Sequence, residues 1–179
     1  MKSPSPLTDA TGLALSLLAV AVVAWSPPSH SSKVGGTFTG NVIQHDTIGL
    51  GDAAGHVLAL NQAKGTNRST GATEYMDGAD IVNSELADLT MGTGTHQGFI
   101  VMAKGPDSAY TRWSGRVTTR LSADKTPITT FEGTWTKQRG TGRYTGIKGT
   151  GRYQGHMTSP TAYVIEWSGE IEGIKVAAK

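Results

Sequence analysis

The stretch Gly140-Thr141-Gly142-Arg143-Tyr144-Thr145-Gly146-Ile147-Lys148-Gly149-Thr150-Gly151-Arg152-Tyr153-Gln154-Gly155 says one phrase twice, nine residues apart. A third copy, Gly92-Thr93-Gly94-Thr95-His96-Gln97-Gly98, keeps the same Gly-Thr-Gly-x-x-x-Gly spacing. Such glycines either cradle a phosphate or let the backbone turn sharply and approach a neighbour. The detail removes the first reading. Gly149 follows Lys148 where a nucleotide loop needs Ser or Thr. The dinucleotide fingerprint has another spacing and must open a helix, for which the sequence offers no pattern. The glycines are therefore expected at turns and bulges, supplying positive φ or close approach as strands bend.

On both sides of the phrase the sequence alternates. In Thr129–Lys137, Phe131 and Trp135 oppose Glu132, Thr134 and Thr136. In Ala109–Leu121, Trp113, Val117 and Leu121 share one face, and Arg112, Arg116 and Arg120 the other. In Thr161–Glu172, Tyr163, Ile165, Trp167 and Ile171 oppose Glu166, Ser168, Glu170 and Glu172. A period of two puts each set on its own side of a sheet. Strands are predicted at 37–43, 55–66, 79–91, 95–104, 109–121, 129–138, 150–157 and 161–172. Within 79–91, Glu85, Leu86, Ala87 and Leu89 also allow a helix. Eight strands with short connections predict an all-β antiparallel meander. Closure into an eight-stranded β-barrel, with no substantial helix, removes the edges an open sheet exposes. An open sandwich is the alternative.

Composition narrows the function classes. The 179 residues hold 24 Gly, 24 Thr and no Cys. That excludes a disulfide framework, a thiolate zinc site, an iron–sulfur cluster, a cysteine nucleophile and a lipidated cysteine. A scattered net charge of +2 gives no footprint for nucleic acid. Leu13–Trp25 is a thirteen-residue run, apolar but for Ser16, preceded by Lys2 and followed by Ser26-Pro27-Pro28-Ser29. A spanning helix needs about 20 apolar residues, so the run predicts a secretory signal. Cleavage is expected between 24 and 32, with an uncleaved N-terminal anchor as the alternative. The expected division is 1–32 signal and polar linker, 33–179 one domain, secreted or periplasmic and with no stable membrane span. The Asn67-Arg68-Ser69 triplet has the form of a glycosylation acceptor, a form common by chance.

Phe131-Glu132-Gly133-Thr134-Trp135, followed by Gly140 to Gly151, resembles the signature turn of the allene oxide cyclase-like and dirigent-like barrel superfamily. Gly94-Thr95-His96-Gln97-Gly98 and Tyr163-Val164-Ile165-Glu166-Trp167-Ser168-Gly169-Glu170 are similar to exported bacterial members. The resemblance spans residues 75–172, more weakly from 36. It implies a calycin-like eight-stranded barrel that needs no cofactor, forms homodimers or homotrimers, and in some relatives cyclises or steers reactive intermediates. It carries over no catalytic residue.

Candidate chemistry is then judged residue by residue. Glu132, Glu166 and Arg112 fall on polar strand faces. With apolar faces inward they are surface charges, and only a partly polar interior would make them acid, base or director. Of the five histidines, none forms the i,i+2 or i,i+4 pair from which a metal site starts, and no metal is expected. His96, flanked by a glycine turn where a barrel mouth is expected, joins Glu132, Glu166 and Arg112 as a catalytic candidate, its alternative being a partly exposed turn histidine. Trp113, Trp135, Tyr163 and Trp167, on the apolar faces of three strands, are core or the lining of an apolar pocket. Three functions stay open. The first is an exported barrel binding a small apolar ligand. The second is a cofactor-free isomerase or cyclase acting on a reactive lipid or polyketide-type substrate. The third is a solid-cored oligomeric structural protein.

Overall fold

The computed structural model describes residues 31–70 and 73–174, so the expected signal run lies outside the described residues. Eight strands follow one another: β1 Ser32–Gly49, β2 His56–Ser69, β3 Asp80–Thr90, β4 Thr93–Lys104, β5 Asp107–Leu121, β6 Pro127–Thr141, β7 Lys148–Met157 and β8 Ala162–Glu172. Each pairs antiparallel with the next, and β8 returns to β1, so the sheet closes into a barrel. The ambiguous 79–91 segment is β3, paired along its length with β2 and β4. Among the described residues the helical content is a single 3-10 turn, Gly142–Tyr144. None of them forms a helix long and apolar enough to cross a membrane.

The period-two faces sort as the alternation predicts. Trp113, Val117, Trp135, Tyr163, Ile165, Trp167 and Ile171 are buried inside, whereas Arg112, Glu132 and Glu166 are exposed outside. Leu121 departs from its face. It ends β5 at the rim opposite Pro127 and is 67% exposed.

One end of the barrel is plugged. Tyr75, Met76 and Ala79 of the β2–β3 connection and Tyr144 and Ile147 of the β6–β7 connection are buried there. Asn67 pins the plug: its Nδ2 donates to the carbonyls of Tyr75 (3.1 Å) and Met76 (2.9 Å), and its Oδ1 accepts from Trp167 Nε1 (3.1 Å). With its amide fully buried and occupied on both sides, Asn67 cannot accept a glycan in the folded chain. The other end, where the β1–β2, β3–β4 and β5–β6 hairpins turn, stays open.

The glycines perform two tasks, positive φ at turns and close approach within strands. Gly92, Gly142 and Gly146 have φ of +75°, +59° and +82°, as turns require. Others sit inside strands, directly opposite an inward aromatic residue whose ring lies over them. Trp113 faces Gly98, Trp135 faces Gly151, Phe131 faces Gly155, Trp167 faces Gly36 and Tyr163 faces Gly40. A Cβ at Gly98 would come within 2.7 Å of Trp113 Cζ2. These glycines are seats that let large rings lie along the wall.

Candidate functional site

Rings that hug the wall leave the open half of the barrel hollow. The cavity measures about 340 Å³ and is walled mainly by Phe38, Trp113, Phe131, Trp135, Tyr163 and Trp167. The four aromatic residues singled out from sequence (Trp113, Trp135, Tyr163 and Trp167) all stand on this wall, and so does His96. Glu132, Glu166 and Arg112 do not. Glu132 faces Arg116 across the β5–β6 ladder, and Glu166 Oε2 accepts from Gln154 Nε2 at 3.2 Å, both on the outer surface. The strand period that turns Trp113, Trp135 and Trp167 inward turns their neighbours outward.

The polar groups of the cavity come instead from other inward positions, first among them a set on β2, β3, β4 and β7. Glu85 Oε1 lies 2.7 Å from His96 Nδ1, and His96 Nε2 lies 3.0 Å from the Tyr153 hydroxyl. With Glu85 ionised, Nδ1 carries the ring proton and donates it to the carboxylate. In the neutral ring Nε2 then accepts from Tyr153. Glu85 Oε2 takes a further bond from Asn61 Nδ2 (3.1 Å), whose Oδ1 faces His45 Nδ1 at 2.6 Å on the exposed rim. Five side chains from five strands thus form one hydrogen-bonded string from the mouth to the buried wall.

Glycine again makes the geometry possible. Tyr153, Gly133, Gly115 and His96 occupy one row across β7, β6, β5 and β4. The Tyr153 side chain crosses both glycines to reach His96; a Cβ at Gly133 would lie 2.6 Å from its hydroxyl. Any larger residue at either position would block the bridge. Burial, reinforced by the charge on Glu85, holds the Tyr153 phenol well above its ordinary range, so it stays a neutral donor.

A second pair of bonds fixes the aromatic wall. Trp113 Nε1 donates to Asn83 Oδ1 (2.9 Å), and Asn83 Nδ2 donates to the Tyr163 hydroxyl (3.0 Å). Burial pushes the Tyr163 phenol up to about 12, although the bond from Asn83 works in the opposite direction. At the floor, next to the plug, Lys137 projects inward from β6. Its Nζ donates to Thr111 Oγ1 at 2.8 Å and lies 4.8 Å and 5.0 Å from the ring centres of Tyr75 and Trp135. Burial alone lowers its pKa from 10.5 to about 7. The Tyr75 hydroxyl is itself buried without a hydrogen-bond partner among the described residues.

Sequence reasoning missed Asn83, Glu85, Lys137 and Tyr153. The signal was present for Lys137, which shares the parity of Phe131 and Trp135. Among the described residues no three His, Cys, Asp or Glu side chains gather closely enough to hold a metal ion.

No family model matches the chain, and no curated protein does. Among solved structures it is similar to the pterocarpan synthase dirigent protein. The identity is 10% and the TM-score 0.45, over 87% of this chain and 91% of that one. The likeness carries no information on the site.

Proposed function

We propose that this protein is a binding module that takes one small, mainly apolar molecule into the open half of the barrel and needs no cofactor to do so. The observation that carries the reading is the hollow of about 340 Å³ bounded by aromatic rings, with a few polar groups, chiefly the Glu85–His96–Tyr153 string, Asn83 and Lys137 at the floor, set among them. Pockets of that size, mostly apolar with a few convergent polar groups, suit small ligands. The same hollow weighs against a barrel filled solid. Export of the chain remains part of the proposal, resting on the Leu13–Trp25 run alone.

The test uses N-phenyl-1-naphthylamine, an apolar fluorophore that accepts energy from tryptophan. Binding should quench Trp113, Trp135 and Trp167 together. Val117→Trp, which narrows the wall near the mouth, should weaken it. Quenching that is absent, or untouched by Val117→Trp, would remove the ligand reading.

The second reading, an isomerase or cyclase for a reactive lipid or polyketide-type substrate, draws on one specific feature. Glu85, His96 and Tyr153 place a proton acceptor and a proton donor side by side on the cavity wall, which is the minimum for moving a proton on a held substrate. Glu85 fills the acid's place for which sequence offered Glu132 and Glu166. Turnover of a co-purifying molecule that is lost in His96→Asn while binding persists would favour this reading over simple binding.

A further inference from the structure

A lysine at the bottom of an apolar cavity needs a reason. Among the described residues Lys137 has no carboxylate partner, and Thr111 Oγ1 satisfies only one of the three donors an ammonium would carry. The aromatic faces of Tyr75 and Trp135 flank the nitrogen, and the amine lines the same hollow as Trp113 and Tyr163. Lys33, Lys64, Lys104, Lys125 and Lys148 are all exposed. The two rings give a charged ammonium cation–π contact, but with one hydrogen-bond acceptor and no counter-ion among the described residues this does not offset its burial. A neutral amine lining the hollow needs no such compensation.

We propose that Lys137 is a covalent anchoring site, at which the amine condenses with the aldehyde or ketone of a small apolar ligand and holds it as an imine on the barrel floor. The proposal rests on the reading of the cavity as a ligand chamber and adds the ligand's chemical class. The nitrogen lone pair attacks the carbonyl carbon, forming the C–N bond while the C=O pair moves to oxygen. A proton passes from nitrogen to that oxygen, giving a carbinolamine. Loss of the hydroxyl with the second amine proton then releases one water and leaves C=N. No redox partner is needed, and hydrolysis reverses the step. Thr111, hydrogen-bonded to the nitrogen, is the hydroxyl placed to relay the proton.

Burial favours the reacting form. At pH 7 an amine of pKa 10.5 is neutral in about one molecule in three thousand, and one of about 7 in roughly half. Among the described residues the groups in contact with the nitrogen are Thr111, Trp135 and Tyr75. Tyr75, the titratable one among them, is kept neutral by its own burial.

The purified chain is incubated at pH 7 with 3-phenylpropanal and sodium cyanoborohydride, which reduces an imine to a stable secondary amine, and the adduct is mapped by peptide mass. Labelling should favour Lys137 over any exposed lysine by about tenfold or more, less than the gain in neutral fraction because a weaker base is a weaker nucleophile. It should rise through about pH 7, fall when excess 3-phenylpropanol shares the cavity, and vanish from that peptide in Lys137→Arg. Labelling of folded wild-type protein that is no greater at Lys137 than at the exposed lysines overturns the proposal. If 3-phenylpropanol nonetheless displaces N-phenyl-1-naphthylamine, the cavity reading stands and the covalent site alone is lost. If neither compound enters, both fall.

Discussion

Replacing Gly40 with alanine puts the aromatic-on-glycine packing to a direct test. Gly40 lies opposite Tyr163 in the β1–β8 ladder. A Cβ there would stand 2.6 Å from Tyr163 Cζ, 2.8 Å from its hydroxyl and 3.0 Å from Cε1. Carbon atoms rest at about 3.5–4.0 Å, so the ring must retreat by roughly 1 Å. It has little room to do so. Phe38 and Phe131 meet it edge-on, with ring centres at 5.5 and 5.8 Å, and Asn83 holds its hydroxyl. Overpacking of this kind costs about 1–3 kcal/mol, and a weakened buried hydrogen bond about 1 kcal/mol more. Against this, alanine stiffens the unfolded chain and returns about 0.4–1 kcal/mol. The net expectation is a loss of about 2 kcal/mol, or about 4–8 °C in Tm for a domain of this size.

Urea unfolding followed by tryptophan fluorescence measures the loss. Gly49→Ala is the matched control, because a Cβ there meets nothing within 4 Å; its stability should be unchanged or slightly raised. Tyr163→Leu removes the ring, so in that background Gly40→Ala should lose most of its cost. If Gly40→Ala behaves like Gly49→Ala, or costs the same with and without the Tyr163 ring, the glycine is not a seat and the reasoning fails.

Two further outcomes follow from charge. The unfolded chain holds the Lys137 proton up to about pH 10.5 and the folded chain only to about 7, so this residue's penalty is greatest below pH 7 and fades as pH rises through that window. Lys137→Met should therefore be more stable than wild type at pH 6, by about 1–4 kcal/mol, with the gain shrinking toward pH 10 in denaturant titrations; a variant less stable at pH 6 would contradict the burial. At the hairpin end, His56 is held between Asp88 (2.8 Å) and Asp52 (2.6 Å), and these bonds, that from Asp88 first, raise its pKa above 6.5. Its contribution is complete below pH 6.5 and lost as pH climbs through the raised value, so an NMR titration should give a midpoint above 6.5 that drops in Asp88→Asn.

The strands were legible because alternation is strong wherever one face is apolar and the other charged, as in Trp113/Arg112 or Trp167/Glu166. The cavity's polar groups were not, and the reasons are physical. β3 carries Asn83 and Glu85 in the middle of an inward row that otherwise holds Ile81, Ala87 and Leu89, so its apolar alternation is interrupted and its pattern blurs into a helix. Tyr153 is flanked by Arg152 and Gln154 on a strand whose other inward positions are Gly149, Gly151 and Gly155 and, at its very end, Met157, which leaves no apolar stripe to detect. Lys137 shows the opposite failure. Its parity places it inside, but a charged residue at a strand end is by habit assigned to the surface. Buried polar residues are where pattern reading and function part company.

The glycines within the strands and the hollow are one property of this chain. An eight-stranded barrel is just wide enough for its side chains to fill it. Here Trp113, Trp135, Trp167 and Tyr163 each lie over a glycine of the adjacent strand, so the space a Cβ and a second side chain would take at that level is occupied by the ring itself. The wall thickens by one flat ring and the axis stays open. At Gly115 and Gly133 the same economy of side chains clears a path along which Tyr153 reaches His96 across two strands. Larger residues at these glycines would push rings toward the axis, closing the hollow and parting the Glu85–His96–Tyr153 string in the same movement. A sequence selected only for a solid core would have no use for paired glycines facing its largest side chains, because every ring could then pack against a neighbour's methyl groups.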